Sequence, residues 1–252
     1  MIQLREPVVH VWWLSLSGAE AQVEAALAAL TSDERERALR FRFARDRRRF
    51  VVARTAVRLV LGEYTGLTPL QVPLRLSDSG KPYLADRSDL HFNLSHCEDR
   101  GVLAVSRRPC GIDLERIRDV PEALEIAQRL FTATENRALR ETSSRERPAA
   151  FLRCWTRKEA FVKARGEGLA TTPLHSFDVT VDSGAPALTL LGKRSSETWT
   201  IRNLPAGVGW TGALVVGTTT VRLRFHNWPA DLPPQSDDIR GLGTPGTEIS
   251  AE

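Results

Sequence analysis

The chain has 252 residues, 42% apolar and 26% charged, an ordinary globular composition with material for one large domain or two of about half that size. No apolar run approaches the roughly 20 residues of a membrane span, Glu6 and Pro7 break any secretion-signal order, and three cysteines at unrelated spacings fit neither a disulfide framework nor a zinc site, so a reduced cytoplasm is expected. The net charge of +4 joins 35 basic to 31 acidic residues, and a pI near 9.3 leaves an anionic partner open.

A strand-like start, VVHVWWLSL, is followed by an Ala-rich helical stretch over 19–30. Thr31 and Ser32 before Asp33-Glu34-Arg35-Glu36 give a capping signal for a second helix. Asp46 opens a long predicted helix whose Phe50, Val51, Ala53, Val57, Leu61 and Tyr64 recur near helical spacing. Short strands are expected at 72–76, 90–94 and 101–106. The order then restarts with strand-like GIDLERI, helices at 121–130, 132–142 and 148–165, and strands at 176–181, 187–191, 198–203, 210–216 and 219–226. We read an α+β chain of two halves, 1–109 and 110–228, followed by a Pro/Gly-rich acidic tail over 229–252. That tail holds five acids against one arginine and masks half of the +8 carried by the body.

Only Lys81, Lys158, Lys163 and Lys193 interrupt the arginines. Arginine stays charged, whereas a lysine can give up a proton when its surroundings lower its pKa, so each lysine asks for a reason. Three segments hold polar residues that a core or a turn does not require. In Cys110-Gly-Ile-Asp-Leu-Glu-Arg116, strand alternation points Asp113 and Glu115 one way while Ile112 and Leu114 enter the core. Paired carboxylates want a cation between them, for which Mg2+ is suited; the alternative is an exposed strand face neutralised by Arg116 and Arg118. On the helix through Trp155, Glu159 and Lys163 share a face, either as a surface pair or as working groups. The third segment runs from Ser79-Gly80-Lys81-Pro82 to His91-Phe-Asn-Leu-Ser-His96, a turn and a short strand whose end could meet a phosphate or could be structural.

The blocks KPYL, HFNLSH, GIDLER and WTRKEAFVKARGEGL, in this order, resemble the surfactin-type (Sfp-type) 4'-phosphopantetheinyl transferases over about residues 30–180. That resemblance implies two similar pseudo-symmetric α+β subdomains with the active site in the cleft between them. It implies a Mg2+-dependent transfer of the phosphopantetheine arm of coenzyme A to a serine of an apo acyl or peptidyl carrier protein, releasing adenosine 3',5'-bisphosphate. Asp113, Glu115 and Glu159 match the metal carboxylates, Glu159 the general base, and Lys163 the group serving the departing phosphate. Gly80, Lys81, Pro82, Ser95, His96, Lys158, Arg37 and Arg49 match coenzyme A contacts. Phe50 stands where some relatives have a small polar residue, and Trp155 is read as packing. Polyketide synthase, nonribosomal peptide synthetase and fatty-acid synthase carriers are the implied partners of a monomer, with secondary metabolism as the expected setting. Two rivals remain: a basic nucleic-acid binder using the arginines of 35–58, which no motif supports, and an inactive scaffold that binds coenzyme A.

Overall fold

The computed structural model describes residues 1–18, 20–168, 171–190 and 198–228. The tail expected over 229–252 lies outside them. The first half begins with strand β1 (Val8–Ser15) and helices α1 (Glu20–Ala26), α2 (Ser32–Leu39) and α3 (Ala44–Thr65), continues through the hairpin β2 (Leu74–Leu76) and β3 (Pro82–Leu84), and closes with β4 (His91–Cys97) and β5 (Arg100–Ser106). The second repeats that order: β6 (Cys110–Arg116), α4 (Ala123–Leu130), α5 (Ala133–Glu141), α6 (Arg147–Arg165), the hairpin β7 (Phe177–Val179) and β8 (Leu188–Leu190), then β9 (Thr200–Asn203) and β10 (Trp210–Val216), before a last strand, β11 (Arg222–Trp228).

The two halves are built alike, in the α+β form expected. In each, the first strand pairs antiparallel with the last of its half, which pairs antiparallel with its predecessor: β1–β5–β4 and β6–β10–β9. Each long helix ends on a left-handed glycine, Gly66 (φ 74°) or Gly166 (φ 70°), whose N–H caps the last turn. A buried cation on each helix is held by the capping-box glutamate of the helix before it. Glu34 Oε2 accepts from Thr31 N–H at 3.1 Å and from Arg58 Nε at 2.6 Å. Glu135 accepts from Thr132 N–H at 2.9 Å and lies 2.7 Å from Lys158 Nζ. Arg58 stands to Gly66 as Lys158 stands to Gly166, and both donate to carbonyls just beyond their helix.

The sheets pack through a central core of Val9, Val11, Val102, Ala104, Ile112, Leu114 and Leu214. Their outer faces are covered by α3 and by α6 respectively. Helix α6 lies so close on β6 that a Cβ on Gly111 would come within 2.1 Å of Ala160 O and 2.2 Å of Ala164 N. Only glycine allows that approach.

Three details depart from expectation. Helix α3 starts at Ala44 after an extended Phe43, with Asp46 inside its first turn, where a carboxylate favours the helix dipole. The short strand β3 was not expected. Strand β11, although it follows the second half, pairs parallel with β1 and completes the first sheet as β11–β1–β5–β4.

Candidate active site

Strands β4 and β6 lie side by side, running the same way, without a backbone ladder between them. Side chains join them instead. Asn93 Oδ1 accepts the Ile112 N–H at 2.7 Å, Ser95 Oγ donates to Asp113 Oδ1 at 2.8 Å, and Cys97 Sγ reaches Glu115 Oε2 at 3.5 Å. Strand alternation accounts for the pattern: Asn93, Ser95 and Cys97 face β6, while Phe92, Leu94 and His96 face away.

On the β6 side, Asp113 and Glu115 project together and Ile112 and Leu114 enter the core, as alternation predicts. Helix α6 brings Lys163 to this point. Its Nζ donates to Asp113 Oδ1 at 2.6 Å and to Ser95 Oγ at 3.4 Å. Glu159 lies one helical turn back. Burial raises its carboxyl above the usual carboxylate range; Lys163 opposes that shift, and the charges of Asp113 and Glu115 add to it. Glu115 is paired with Arg118 at 2.9 Å.

The other face of β4 looks onto a cavity of about 370 Å³ between α2, α3 and β3. Arg37, Asp46, Arg49, Arg54 and His96 supply its polar groups, and Phe41, Phe50, Ala53, Val57, Pro82, Phe92 and Leu94 its apolar wall. Arg49 Nε donates to Asp99 Oδ1 at 2.8 Å, and Arg54 lies 3.4 Å from Glu34. His96 keeps an exposed surface, and partial desolvation with the charges of Arg49 and Lys163 sets its imidazole below its usual pKa. His96 therefore feels both compartments, the arginine-lined cavity and the acid–lysine cluster.

Of the residues expected at the site, Arg37, Arg49, Pro82 and His96 line the cavity, and Ser95, Asp113 and Lys163 form one hydrogen-bonded group with Glu159 and Glu115 in electrostatic reach. Gly80 makes the left-handed turn (φ 81°) before Lys81. One expectation needs correcting. Lys158 does not reach the cleft: it is fully buried, donating to Leu174 O at 2.6 Å and Phe177 O at 2.7 Å beside Glu135. An ammonium in a closed hole has to find acceptors, and these fill its donors. The Lys81 ammonium donates to Lys163 O at 2.6 Å and Cys110 O at 3.0 Å, contacts that use two of its three N–H groups and tie the hairpin to the end of α6. Trp155 packs against Phe131 and Phe151, as read.

The expected metal carboxylates are not gathered into a ready cage: among the described residues no group of three or more His, Cys, Asp or Glu side chains is placed to hold an ion. Two observations nevertheless fit a cation. Asp113 Oδ2 is buried without a hydrogen-bond partner, and the charges of Asp113 and Glu115 make Glu159 harder to ionise. Sequence reading passed over Asn93, Arg54 and Asp99. The alternation that paired Asp113 with Glu115 would equally have paired Asn93 with Ser95.

The arginine-lined cavity and the acid–lysine cluster thus stand on opposite faces of one strand, β4. Comparison with known proteins gives the family. Residues 109–217 match the family model described as 4'-phosphopantetheinyl transferase superfamily, and residues 15–108 match the one described as 4'-phosphopantetheinyl transferase, N-terminal. The chain is 37% identical over 213 residues to 4'-phosphopantetheinyl transferase HetI of Nostoc sp., covering 80% of this chain and 89% of that protein. It is 32% identical over 161 residues to 4'-phosphopantetheinyl transferase Sfp of Bacillus subtilis, covering 64% and 70%. A second Bacillus subtilis 4'-phosphopantetheinyl transferase is 34% identical over 153 residues, covering 61% and 67%. The chain belongs to the 4'-phosphopantetheinyl transferase superfamily. No helix among the described residues is long and apolar enough to cross a membrane.

Proposed function

We propose that this chain transfers the 4'-phosphopantetheine arm of coenzyme A to the hydroxyl of a serine on an apo acyl or peptidyl carrier protein, releasing adenosine 3',5'-bisphosphate. One observation carries the reading: His96 and Ser95, adjacent on β4, face two different compartments, the arginine-lined cavity and the Asp113–Lys163 pair. A nucleotide in the cavity would bring its pyrophosphate to the boundary between them.

In this reading Arg37, Arg49 and His96 hold the nucleotide end, and the pyrophosphate lies against Ser95 and Lys163. Glu159, whose raised carboxyl is a better proton acceptor than an ordinary glutamate, takes the proton of the carrier serine. The serine oxygen bonds to the phosphorus that bears the pantetheine. The bond from that phosphorus to the bridging oxygen breaks, and the electron pair leaves on the bisphosphate. Lys163 neutralises or protonates that oxygen, the second of which a guanidinium does poorly. Asp113, Glu115 and Glu159 are the side chains that would hold Mg2+, with the unpartnered Asp113 Oδ2 foremost. Bound there, Mg2+ would supply a hard Lewis acid that offsets the pyrophosphate charge.

We take 1–109 and 110–228 as the two subdomains, with β11 lent to the first sheet. Both walls of the site come from one chain, which supports action as a monomer, and three free cysteines suit a reducing cytoplasm. Carriers of polyketide, nonribosomal peptide and fatty-acid synthases are the candidate partners. The nucleic-acid reading loses ground because much of the arginine cluster is matched internally: Arg47 with Glu24, Arg49 with Asp99, and Arg58 with Glu34.

Intact-mass spectrometry tests the proposal. Purified protein, coenzyme A and MgCl2 are expected to shift an apo carrier by the mass of one phosphopantetheine arm, with no shift in the presence of a chelator. No shift on carriers from any of the three synthase classes would overturn it.

A further inference from the structure

Three guanidinium groups line the cavity, and two of them are tied to carboxylates: Arg49 to Asp99 and Arg54 to Glu34. Arg37 differs. It has no carboxylate partner among the described residues, and its guanidinium lies over the Phe50 ring, 5.1 Å from the centroid, whereas Arg54, at 5.9 Å from the same centroid, has Glu34 as well. Phe50 is itself steadied by Phe41, with ring centroids 5.3 Å apart, and by packing against the core beneath α3.

The two ways of holding an arginine have different chemical consequences. A carboxylate anchor fixes the side chain but offsets part of its charge and takes up some of its donors, as Asp99 takes the Nε–H of Arg49. An aromatic face attracts the cation through its quadrupole and leaves the charge and the in-plane N–H groups available. An unanchored arginine would have to give up rotamer freedom each time it met a ligand. Arg37 over Phe50 is thus a cation held in place with its binding capacity intact. It stands on the side of the cavity formed by α2, whereas His96, which feels Lys163, marks the side next to the acid–lysine cluster. A coenzyme A whose pyrophosphate lies by Lys163 would direct its ribose 3'-phosphate toward Arg37.

Resting on the transferase reading above, we infer that Phe50 is a positioning residue: it holds Arg37 for the ribose 3'-phosphate of coenzyme A and so sets the preference for the 3'-phosphorylated nucleotide. It acts through Arg37 and does not touch the phosphate itself.

Equilibrium binding of coenzyme A and of 3'-dephospho-coenzyme A, measured by calorimetry, tests this on four forms: the unaltered protein, Phe50→Leu, Arg37→Gln and the double variant. Phe50→Leu keeps an apolar wall but loses the quadrupole. It is expected to weaken coenzyme A roughly three-fold, in keeping with an exposed cation–π contact, and to leave the dephospho ligand unchanged. In the Arg37→Gln background the same change is expected to have no further effect. Phe50→Tyr, which keeps the ring face, is expected to bind like the unaltered protein and so separates loss of the ring from disturbed packing. Equal weakening of both ligands by Phe50→Leu, no weakening of either, or an effect that persists without Arg37 would overturn the inference while leaving the transferase reading in place. An unaltered protein that binds no coenzyme A would overturn both.

Discussion

The two long helices occupy matching places in the two halves and differ in what they show the cleft. Each carries a buried cation clasped by a capping-box glutamate, Arg58 by Glu34 in α3 and Lys158 by Glu135 in α6. Counted from the glycines that end them, Leu59 and Glu63 of α3 take the places of Glu159 and Lys163 of α6. Strand β1 gives α3 the apolar Trp12 and Leu14, where β6 gives α6 Asp113 and Glu115. One architecture thus serves two uses. The first half forms an aromatic and guanidinium cavity, and the second exchanges a few core-facing positions for acids and one lysine. The buried cations common to both halves belong to the scaffold.

The largest contrast is expected between Asp113→Ala and Trp12→Ala. The first should lower transfer on the order of a thousand-fold at a small cost in melting temperature, because the Lys163 ammonium it leaves behind is partly exposed to water. The second should destabilise by about 3–5 kcal/mol, read by urea unfolding, because it opens a hole in the core. A comparable loss of stability in the first, or none in the second, would dissolve the distinction between the two strands.

Arg58→Met and Lys158→Met sharpen the comparison from the scaffold side. Lys158→Met leaves the buried Glu135 without its cation and should destabilise by about 3–5 kcal/mol. Arg58→Met leaves Glu34 partly exposed and still beside Arg54, so its loss is expected to be smaller. A Lys158→Met protein that unfolds normally but no longer binds coenzyme A would return Lys158 to the site.

Much of this arrangement is legible in the sequence, and the failures have physical causes. The alternation in Cys110–Arg116 is a local property of a strand, so it placed Asp113 and Glu115 correctly. The Glu159–Lys163 spacing worked for the same reason on a helix. The scarcity of lysine identified positions where a compact ammonium is needed, but not what it meets: Lys163 meets Asp113 and Ser95, whereas Lys158 and Lys81 meet backbone carbonyls. Partners distant in the chain leave no local trace, so the parallel pairing of β11 with β1 could not be read from periodicity. The hairpin strand β3 has three residues, one of them Pro82, too short for any period to register.

A further difference between the halves concerns pH. Strand β1 carries a buried histidine, His10, whose Nδ1 lies 2.6 Å from Tyr64 Oη, where β6 carries the glycine that admits α6. Burial, followed by the charges of His226 and Arg224, lowers the His10 pKa from 6.5 to about 4. A depressed histidine resists protonation in the folded state only. Its contribution to stability is therefore complete above pH 6.5 and is lost as the pH falls toward 4, by at most about 3 kcal/mol. Urea midpoints should fall across that window, and His10→Gln should flatten the fall. An unchanged slope would assign the acid sensitivity elsewhere. The smallest effect is expected for Glu63→Gln, within about 0.5 kcal/mol and with unchanged transfer, since the position matching Lys163 has no role in the first half.

The division of labour between the halves is tested most directly by steady-state transfer kinetics of Arg49→Gln and Lys163→Arg, measured side by side with coenzyme A as the varied substrate. Arg49→Gln is expected to raise KM roughly ten-fold with kcat nearly kept, because it weakens a charged contact made equally before and during reaction. Lys163→Arg is expected to lower kcat roughly a hundred-fold with KM nearly kept, because it retains charge but not a transferable proton. Both variants changing the same parameter, or each changing the other's, would contradict a binding half joined to a reacting half.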